Sequence, residues 1–298
     1  MMRSRSRWLR PLAIAAALTA TAIALAACSG VGILNALVRG DTFTLQHGLA
    51  YGPLPRQRLD VYTPASPPPA TGHPVVVFFY GGSWTGGDRA DYRFVGEALA
   101  GRGALTIVAD YRVYPEVRYP EFLKDSALAV AWALENAKRL GGDPARVIVM
   151  GHSAGGYNAA MVALDPRWLA PTGHRPQELA AWIGLAGAYE FIPLAEGSPA
   201  RPVFFHPNYP DGSQPIDHAG RNSPPAFLAA PARDRVVSVE RSTLAMARRL
   251  QAAGVPVELK IYDGVTHSLL AGVFARPLRG LAPVLEDTAA FIAAVPRR

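Results

Sequence analysis

Ser153 is the residue of this sequence best placed to act as a nucleophile. It stands in the pentapeptide Gly-His-Ser-Ala-Gly at 151–155, between a predicted strand at 146–150 and a predicted helix at 154–164. Glycines at both ends let strand and helix approach closely, so a tight turn lifts the serine hydroxyl above the sheet. The turn also directs the Ala154 N–H towards a developing oxyanion, near the positive end of the helix. A Gly-Ser turn without chemistry is the plainer interpretation, but the strand–turn–helix context favours a nucleophile.

A second glycine-rich segment follows an earlier predicted strand. Tyr-Gly-Gly-Ser-Trp occupies 80–84, directly after the apolar run at 75–80. Together with Gly-His-Ser-Ala-Gly-Gly at 151–156, it resembles the α/β-hydrolase superfamily, specifically the hormone-sensitive-lipase-like and the feruloyl- and acetyl-xylan-esterase-like carboxylesterases. The resemblance covers about residues 55–295. Many relatives have histidine where this chain has Tyr80, a departure that concerns loop geometry and acyl preference rather than the nucleophile.

The same two segments supply the predicted oxyanion donors. Gly81 and Gly82 let bare backbone approach a reacting carbonyl group, and the predicted donors are the N–H groups of Gly82, Ser83 and Ala154. Each donor of this kind contributes about 3 kcal/mol of transition-state stabilisation. A phosphate-binding loop is not indicated, because neither the dinucleotide-binding nor the Walker spacing of glycines is present. We expect no metal or organic cofactor, and a single cysteine cannot form a cysteine-based zinc site.

A serine hydroxyl needs a base, and the base needs an acid that orients it. In the superfamily that the chain resembles, these residues follow the serine in the order aspartate, then histidine. His267, after a predicted strand at 257–262, is the predicted base. Asp234, after a predicted strand at 225–230, is the predicted acid, and Asp263 is its competitor. Asp234 could instead cap the helix that follows, which is a common role for aspartate.

Strands and helices alternate along the chain, as in a doubly wound, mainly parallel sheet. Predicted strands lie at 57–62, 75–80, 104–109, 146–150, 180–185, 225–230 and 257–262, and predicted helices at 94–102, 119–140, 154–164, 239–253 and 283–294. The proline-rich stretch at 64–74 connects the first two strands. We therefore predict an α/β-hydrolase fold, with residues 51–298 as one catalytic domain.

Residues 188–224 interrupt this alternation. They exceed an ordinary connection in length and are rich in proline, glycine, asparagine and aromatic residues. We predict a functional loop or a small cap beside the site. Phe204 in this insert and Trp84 after the oxyanion glycines are candidate substrate contacts, with packing as the alternative role for both.

The N-terminus has the pattern of a secretory signal peptide. Residues 1–10 contain four arginines and no acid, residues 12–27 are apolar, and Cys-Ser-Gly follows at 28–30. Without residues 1–27, the formal net charge falls from +7 to +3, because four arginines and no acidic residue are lost. The rest of the chain has no basic stripe with interleaved aromatic residues, so we expect no nucleic-acid partner.

Cys28 is a candidate lipidation site. Leu-Ala-Ala-Cys at 25–28 resembles the lipobox of bacterial lipoproteins, and Cys28 is the single cysteine of the chain. Cleavage after Ala26, which would leave an ordinary thiol, is the alternative. We expect an exported protein anchored to a membrane through its lipid, with residues 28–50 as tether and lead-in.

These observations predict a serine carboxylesterase that hydrolyses a small-molecule ester through an acyl-enzyme on Ser153. An amidase, such as an arylformamidase, has nearly the same motifs and remains an alternative. A surface binding protein on an inactive hydrolase scaffold is a third possibility, but it would be expected to lack Ser153, Asp234 or His267, and all three are present. The acyl group, the alcohol group and the oligomeric state do not follow from the sequence.

Overall fold

An eight-stranded sheet forms the centre of the computed structural model, which describes residues 30–298. The strands are β1 Phe43–Ala50, β2 Arg58–Pro64, β3 His73–Phe79, β4 Leu105–Ala109, β5 Gly142–His152, β6 Ala181–Leu185, β7 Ala226–Pro231 and β8 Val257–Tyr262. The α-helices are α1 Gly30–Ala36, α2 Arg93–Ala100, α3 Glu121–Asn136, α4 Ala154–Leu164, α5 Pro166–Leu169, α6 Ala245–Ala252, α7 His267–Gly272 and α8 Val284–Ala294. A π-helical turn, Glu240–Leu244, leads into α6, and 3₁₀ turns lie at Arg89–Tyr92, Lys138–Leu140, Ala170–Thr172, Pro176–Glu178, Pro215–His218 and Arg276–Leu281.

The strand order across the sheet is β1-β2-β4-β3-β5-β6-β7-β8. β2 pairs antiparallel with both β1 and β4, and the pairs from β4 to β8 are parallel. The predicted mainly parallel α/β-hydrolase fold is therefore confirmed. The chain winds from β3 to one neighbour, β4, and then returns to the other, β5. In open α/β sheets, ligands bind beyond the carboxyl ends of the strands at such a reversal.

Helices on both faces of the sheet explain why its central strands are apolar along their whole length. Every residue of β3, β4, β6 and β7 is buried. Every residue of α4 is buried as well, because this helix lies between the sheet and its neighbours. The turn that joins β5 to α4 is thus held by the most buried part of the molecule.

The predicted tether and lead-in at 28–50 contains two elements of the fold. α1 lies at its start, and β1 adds a strand to the sheet, with Phe43 opposite Pro64 and Ala50 opposite Arg58. The sequence did not indicate this strand because β1 lies at the sheet edge and most of its residues are at least partly exposed. It therefore lacks the apolar run of the central strands.

The predicted signal peptide at 1–27 and Cys28 lie outside the described residues. Within residues 30–298, no helix has the length and apolar character needed to cross a bilayer.

The insert between β6 and β7 is an ordered loop. Within 186–225 the chain forms no α-helix and one 3₁₀ turn, Pro215–His218. Two of its aromatic side chains pack inwards: Tyr189 lies edge-on to Trp182, and Phe204 is fully buried. Phe205 is exposed. Of the two predicted forms, loop or cap, the loop is the one observed.

Candidate active site

Four parallel strands bring the predicted site residues to one edge of the sheet. The loop at 81–83 follows β3, Ser153 follows β5, Asp234 follows β7 and His267 follows β8. The carboxyl ends of parallel strands lie at the same edge, so residues far apart in the chain become neighbours here.

Ser153 has a backbone conformation that few non-glycine residues adopt, with φ 55° and ψ −121°. Such a conformation costs about 1–3 kcal/mol and must be held by its surroundings. The flanking glycines are required by close approach: a Cβ on Gly151 would lie 2.0 Å from the Gly155 carbonyl oxygen, and a Cβ on Gly155 would lie 2.0 Å from the Phe79 carbonyl oxygen. The two glycines therefore allow strand and helix to come close enough to form the turn.

Ser153, His267 and Asp234 form a continuous chain of hydrogen bonds. His267 Nε2 lies 2.8 Å from Ser153 Oγ, and His267 Nδ1 lies 2.7 Å from Asp234 Oδ2. The His267 side chain is 10% exposed and that of Asp234 is 1% exposed, so the histidine–aspartate contact is shielded from water. Asp263, the competing acid, is exposed and makes no hydrogen bond to His267 in the described part of the chain. The structure thus brings together the predicted nucleophile, base and acid.

The second oxygen of Asp234 is held by backbone. The N–H groups of Val236 and Val237 donate to Oδ1 at 2.8 Å and 3.0 Å. Burial raises the pKa of Asp234, but the hydrogen bonds from His267 and from these two amides outweigh it, so the pKa lies below its ordinary value. Asp234 therefore stays ionised at neutral pH. Asp234 accepts from a turn with one oxygen and contacts His267 with the other. It does not cap the helix that follows, because the next helical turn begins at Glu240 with Val239 as its N-cap.

His152 is a site residue that the sequence did not single out. Its ring is 5% exposed, and its Nε2 lies 2.9 Å from the backbone carbonyl oxygen of His267, to which it donates. Burial, followed by the neighbouring His267, lowers the pKa of His152 to about 3. The side chain is therefore neutral at ordinary pH and tethers the backbone that carries His267. No local sequence pattern predicts this contact, because the two histidines are 115 positions apart.

The loop after β3 brings backbone N–H groups close to Ser153. Gly82, Ser83 and Trp84 all have positive φ values, of 130°, 53° and 57°. A Cβ on Gly81 would lie 3.0 Å from Ser153 Cβ, which shows how closely the loop approaches the serine.

The predicted oxyanion donors have no partners among residues 30–298. In the described part of the chain, the N–H groups of Gly82, Ser83 and Ala154 donate no hydrogen bond to another residue. They are therefore available to a ligand oxygen.

Tyr80 supports this loop from below. Its hydroxyl donates to Asp110 Oδ1 at 2.8 Å and accepts from Arg56 Nη2 at 2.9 Å, and burial raises its pKa so that it stays protonated. The same Arg56 nitrogen donates to the Gly87 carbonyl oxygen at 2.6 Å, and the Arg89 N–H donates to Asp110 Oδ1 at 2.8 Å. Both ends of the loop are thus tied to one partly buried network, so Tyr80 has a defined structural role in this loop.

Two cavities meet at Ser153. The first, of about 730 Å³, is lined by His267, by Gly82 and by apolar side chains. The second, of about 460 Å³, is lined by Ala154, Trp84 and the start of the insert. A further cavity, of about 570 Å³, touches His267 but does not reach Ser153.

The two predicted substrate contacts have different positions. Trp84 lines the second cavity and is held by a hydrogen bond from its Nε1 to Asn158 Oδ1 at 3.0 Å. Phe204 is fully buried and lies edge-on to Trp84, with ring centroids 4.9 Å apart. It lines neither cavity at Ser153, so the expected substrate contact of Phe204 is corrected to a packing role beneath Trp84. Phe191 is the aromatic residue of the insert that reaches the second cavity.

Sequence comparison matches this chain to proteins described as esterases. The BD-FAE family model matches residues 59–189. Esterase LipC of Mycobacterium tuberculosis is 34% identical, over 72% of this chain and 57% of that protein. The isoprenylcysteine alpha-carbonyl methylesterase ICME of Arabidopsis thaliana is 28% identical, over 82% of this chain and 60% of that protein. The chain thus spans less than two thirds of the length of these curated relatives.

A solved structure agrees with the sequence comparison. A thermophilic esterase from Thermogutta terrifontis, with propionate bound, superposes with a TM-score of 0.69 at 26% identity. The match covers 85% of this chain and 94% of that one. The same esterase has also been solved phosphoramylated by tabun.

Proposed function

Because the chain belongs to the α/β-hydrolase superfamily, we propose that it is a serine carboxylesterase. The observation that carries the proposal is the hydrogen-bond chain from Ser153 Oγ through His267 to Asp234, with distances of 2.8 Å and 2.7 Å. The N–H groups beside Ser153, which have no partner in the part of the chain that the structure describes, support it, as do the esterases among the relatives and solved structures.

Acylation begins when Ser153 Oγ attacks the carbonyl carbon of the ester. His267 Nε2 takes the hydroxyl proton, and the ionised Asp234 stabilises the imidazolium that forms. The carbonyl oxygen becomes an oxyanion and accepts hydrogen bonds from the Gly82, Ser83 and Ala154 amides. These amides lie in a fixed loop and at a helix start, so little reorganisation is needed when the charge develops.

The tetrahedral intermediate then loses its alcohol. The bond between the carbonyl carbon and the alkoxy oxygen breaks, and His267 Nε2 donates its proton to the leaving oxygen. Water attacks the acyl group on Ser153 while His267 takes a proton from that water. The carboxylic acid leaves, and Ser153 Oγ regains its proton from His267. These steps use groups of the chain and water, and the proposal includes no cofactor.

Removal of the Ser153 hydroxyl tests the proposal directly. We expect Ser153→Ala to lower kcat on p-nitrophenyl butyrate by about 10⁴-fold or more, since the acyl-enzyme cannot form. A fluorophosphonate probe should label the wild type and not this variant. Ser66→Ala, which changes an exposed serine in the loop between β2 and β3, is the matched control and should keep full activity and labelling.

Two results would contradict the proposal. Near-normal ester hydrolysis by Ser153→Ala would remove Ser153 as nucleophile, and a wild type without turnover or a Ser153 adduct would favour a binding protein. Faster cleavage of N-formylkynurenine than of any ester would favour the amidase alternative.

We also propose that the protein is exported and anchored to a membrane by a lipid on Cys28. The support is the sequence at 1–28, with its arginines, apolar run and lipobox-like Leu-Ala-Ala-Cys. In cells fed labelled palmitate, the wild type should carry the label and Cys28→Ala should not. An unlabelled wild type, or a labelled Cys28→Ala, would contradict the anchor.

A further inference from the structure

The first cavity at Ser153 has one wall that comes from outside the sheet. Val31 and Leu34 of α1 line it, together with side chains that follow β8 and β3. Large apolar side chains that line it include Val31, Leu34, Tyr92, Phe94, Leu269 and Leu278. Asp91 is the single aspartate or glutamate among the described residues that line this cavity, and it is exposed. The interior therefore suits a hydrocarbon group rather than a sugar or a charged group.

α1 is fixed in this position by polar and apolar contacts. The Asn35 side chain donates to the Ala90 carbonyl oxygen at 2.8 Å and accepts from the Phe94 N–H at 3.2 Å. Val31 and Leu34 pack against the core on the same side of the helix. Ile33 and Leu37 point away, and each is 52% exposed. The helix thus presents one apolar face to the cavity and another to the surroundings.

The position of His267 decides which part of an ester enters this cavity. When the tetrahedral intermediate breaks down, the leaving oxygen must receive a proton from His267 Nε2, so the alcohol must lie on the His267 side of Ser153. His267 lines the first cavity and not the second. The acyl group then points into the smaller second cavity, towards Trp84 and Phe191.

We infer that the first cavity is the binding site for the alcohol portion of the substrate, and that this portion is a hydrocarbon group held against α1. The inference rests on the proposed esterase function. It assigns to Leu34 and Val31 a specificity role, since their side chains limit the length and width of the alcohol. The substrate class is therefore an ester whose alcohol is bulkier and more apolar than methanol or ethanol.

The test compares two ester series on one variant and its control. Ethyl acetate and octyl acetate differ in the alcohol, whereas ethyl acetate and ethyl octanoate differ in the acyl group. Leu34→Trp should fill the cavity and lower kcat/KM for octyl acetate by about tenfold or more, because methylenes in a hydrophobic pocket are discriminated at that level. Its kcat/KM for ethyl acetate and ethyl octanoate should stay within about twofold of wild type. Ile33→Trp places the same side chain on the exposed face of α1 and should change none of the three values.

A second variant keeps the test valid if Leu34→Trp destabilises the fold. If Leu34→Trp unfolds at a clearly lower temperature than Ile33→Trp, Leu278→Trp fills the cavity from another element and should give the same selective loss on octyl acetate. A loss on ethyl octanoate alone would place the acyl group in this cavity and overturn the inference. Unchanged values for both folded cavity variants would overturn it as well. Failure of the esterase proposal looks different, because the wild type would then hydrolyse none of the three esters and form no Ser153 adduct.

Discussion

His152 and His267 are close neighbours with different environments. Their ring centroids are 5.0 Å apart, yet His267 faces the cavity and Asp234, whereas His152 is enclosed and its pKa is lowered to about 3. Burial is the main cause, and the adjacent His267 adds to it. His152 is thus neutral at ordinary pH, and it contributes a donor to the His267 carbonyl oxygen rather than a charge.

The low pKa of His152 predicts a pH-dependent stability. In the unfolded chain this histidine takes up a proton below about pH 6.5, while in the folded protein it stays neutral down to about pH 3. The stabilisation is therefore full above pH 6.5 and is lost as the pH falls towards 3, by up to about 1.4 kcal/mol per pH unit. His152→Gln, which keeps a donor but does not titrate, should show a shallower loss of unfolding free energy between pH 6.5 and 4.5.

Urea unfolding at several pH values measures this difference. Other groups titrate in both proteins. The informative quantity is therefore the free energy of unfolding of the wild type minus that of His152→Gln at each pH. Parallel curves for the two proteins would contradict the assignment of a buried, neutral His152.

At the scale of elements, the loop after β3 depends on a network that lies beneath it. Tyr80 connects Asp110 to Arg56, and Arg56 reaches the far end of the loop at Gly87. Tyr80 also stacks between the rings of Tyr92 and Tyr111, with centroids 5.5 Å and 4.8 Å away. A mutation can therefore separate the contribution of the ring from that of the hydroxyl, since phenylalanine keeps the ring stacking and removes the two hydrogen bonds.

Tyr80→Phe should lower activity through the position of the loop. We expect kcat to fall by about tenfold with little change in KM, because displaced N–H donors weaken binding of the transition state more than that of the substrate. The free energy of unfolding should fall by about 2 kcal/mol, since two hydrogen bonds to charged groups are lost, of which the one to Asp110 is buried. Steady-state kinetics on p-nitrophenyl butyrate and urea unfolding measure the two effects.

Tyr262→Phe is the matched control for Tyr80→Phe. It removes a hydrogen bond of 2.7 Å from a tyrosine hydroxyl to Asp287 Oδ2, at the end of β8 and outside the loop. It should lower stability with kcat near that of wild type. Equal losses of kcat in both variants would show that Tyr80 acts through general stability alone.

At the scale of the whole molecule, the fold begins before residue 51. β1 covers the edge of β2, and Phe43 packs against Tyr62 with ring centroids 5.2 Å apart. An uncovered β2 would expose a row of backbone groups, which promotes pairing between molecules. α1 precedes β1 and encloses the first cavity, so this part of the chain contributes to both stability and the site.

A chain of residues 51–298 should therefore be less stable than one of residues 29–298. Loss of the buried Phe43 alone costs about 2 kcal/mol, which corresponds to a midpoint about 5 °C lower in a domain of this size. Thermal unfolding with light scattering should show the lower midpoint and earlier aggregation for the shorter chain. Equal midpoints would mean that α1 and β1 are dispensable.

The sequence by itself was sufficient to identify the fold and to single out Ser153, Asp234 and His267 as residues that the fold brings together. Apolar runs and β–α alternation mark a parallel sheet, and such a sheet places the residues after its strands at one edge. The glycines around Ser153 carry a local signal because only glycine permits the close approach of β5, α4 and β3. All these features are patterns within short segments of the chain, so the sequence alone reveals them.

Only the tertiary structure decided the surroundings of those residues. The contact of His152 with His267, the network under Tyr80 and the place of α1 beside the first cavity join residues that are distant in the chain. A buried polar pair does not produce a periodic spacing of residue types along the chain, and an edge strand such as β1 has no apolar run. Neither feature can therefore be recognised from a sequence pattern. The wrong prediction for Phe204 has the same cause. The sequence around an aromatic residue in a loop does not distinguish a residue that contacts the substrate from one that packs beneath Trp84.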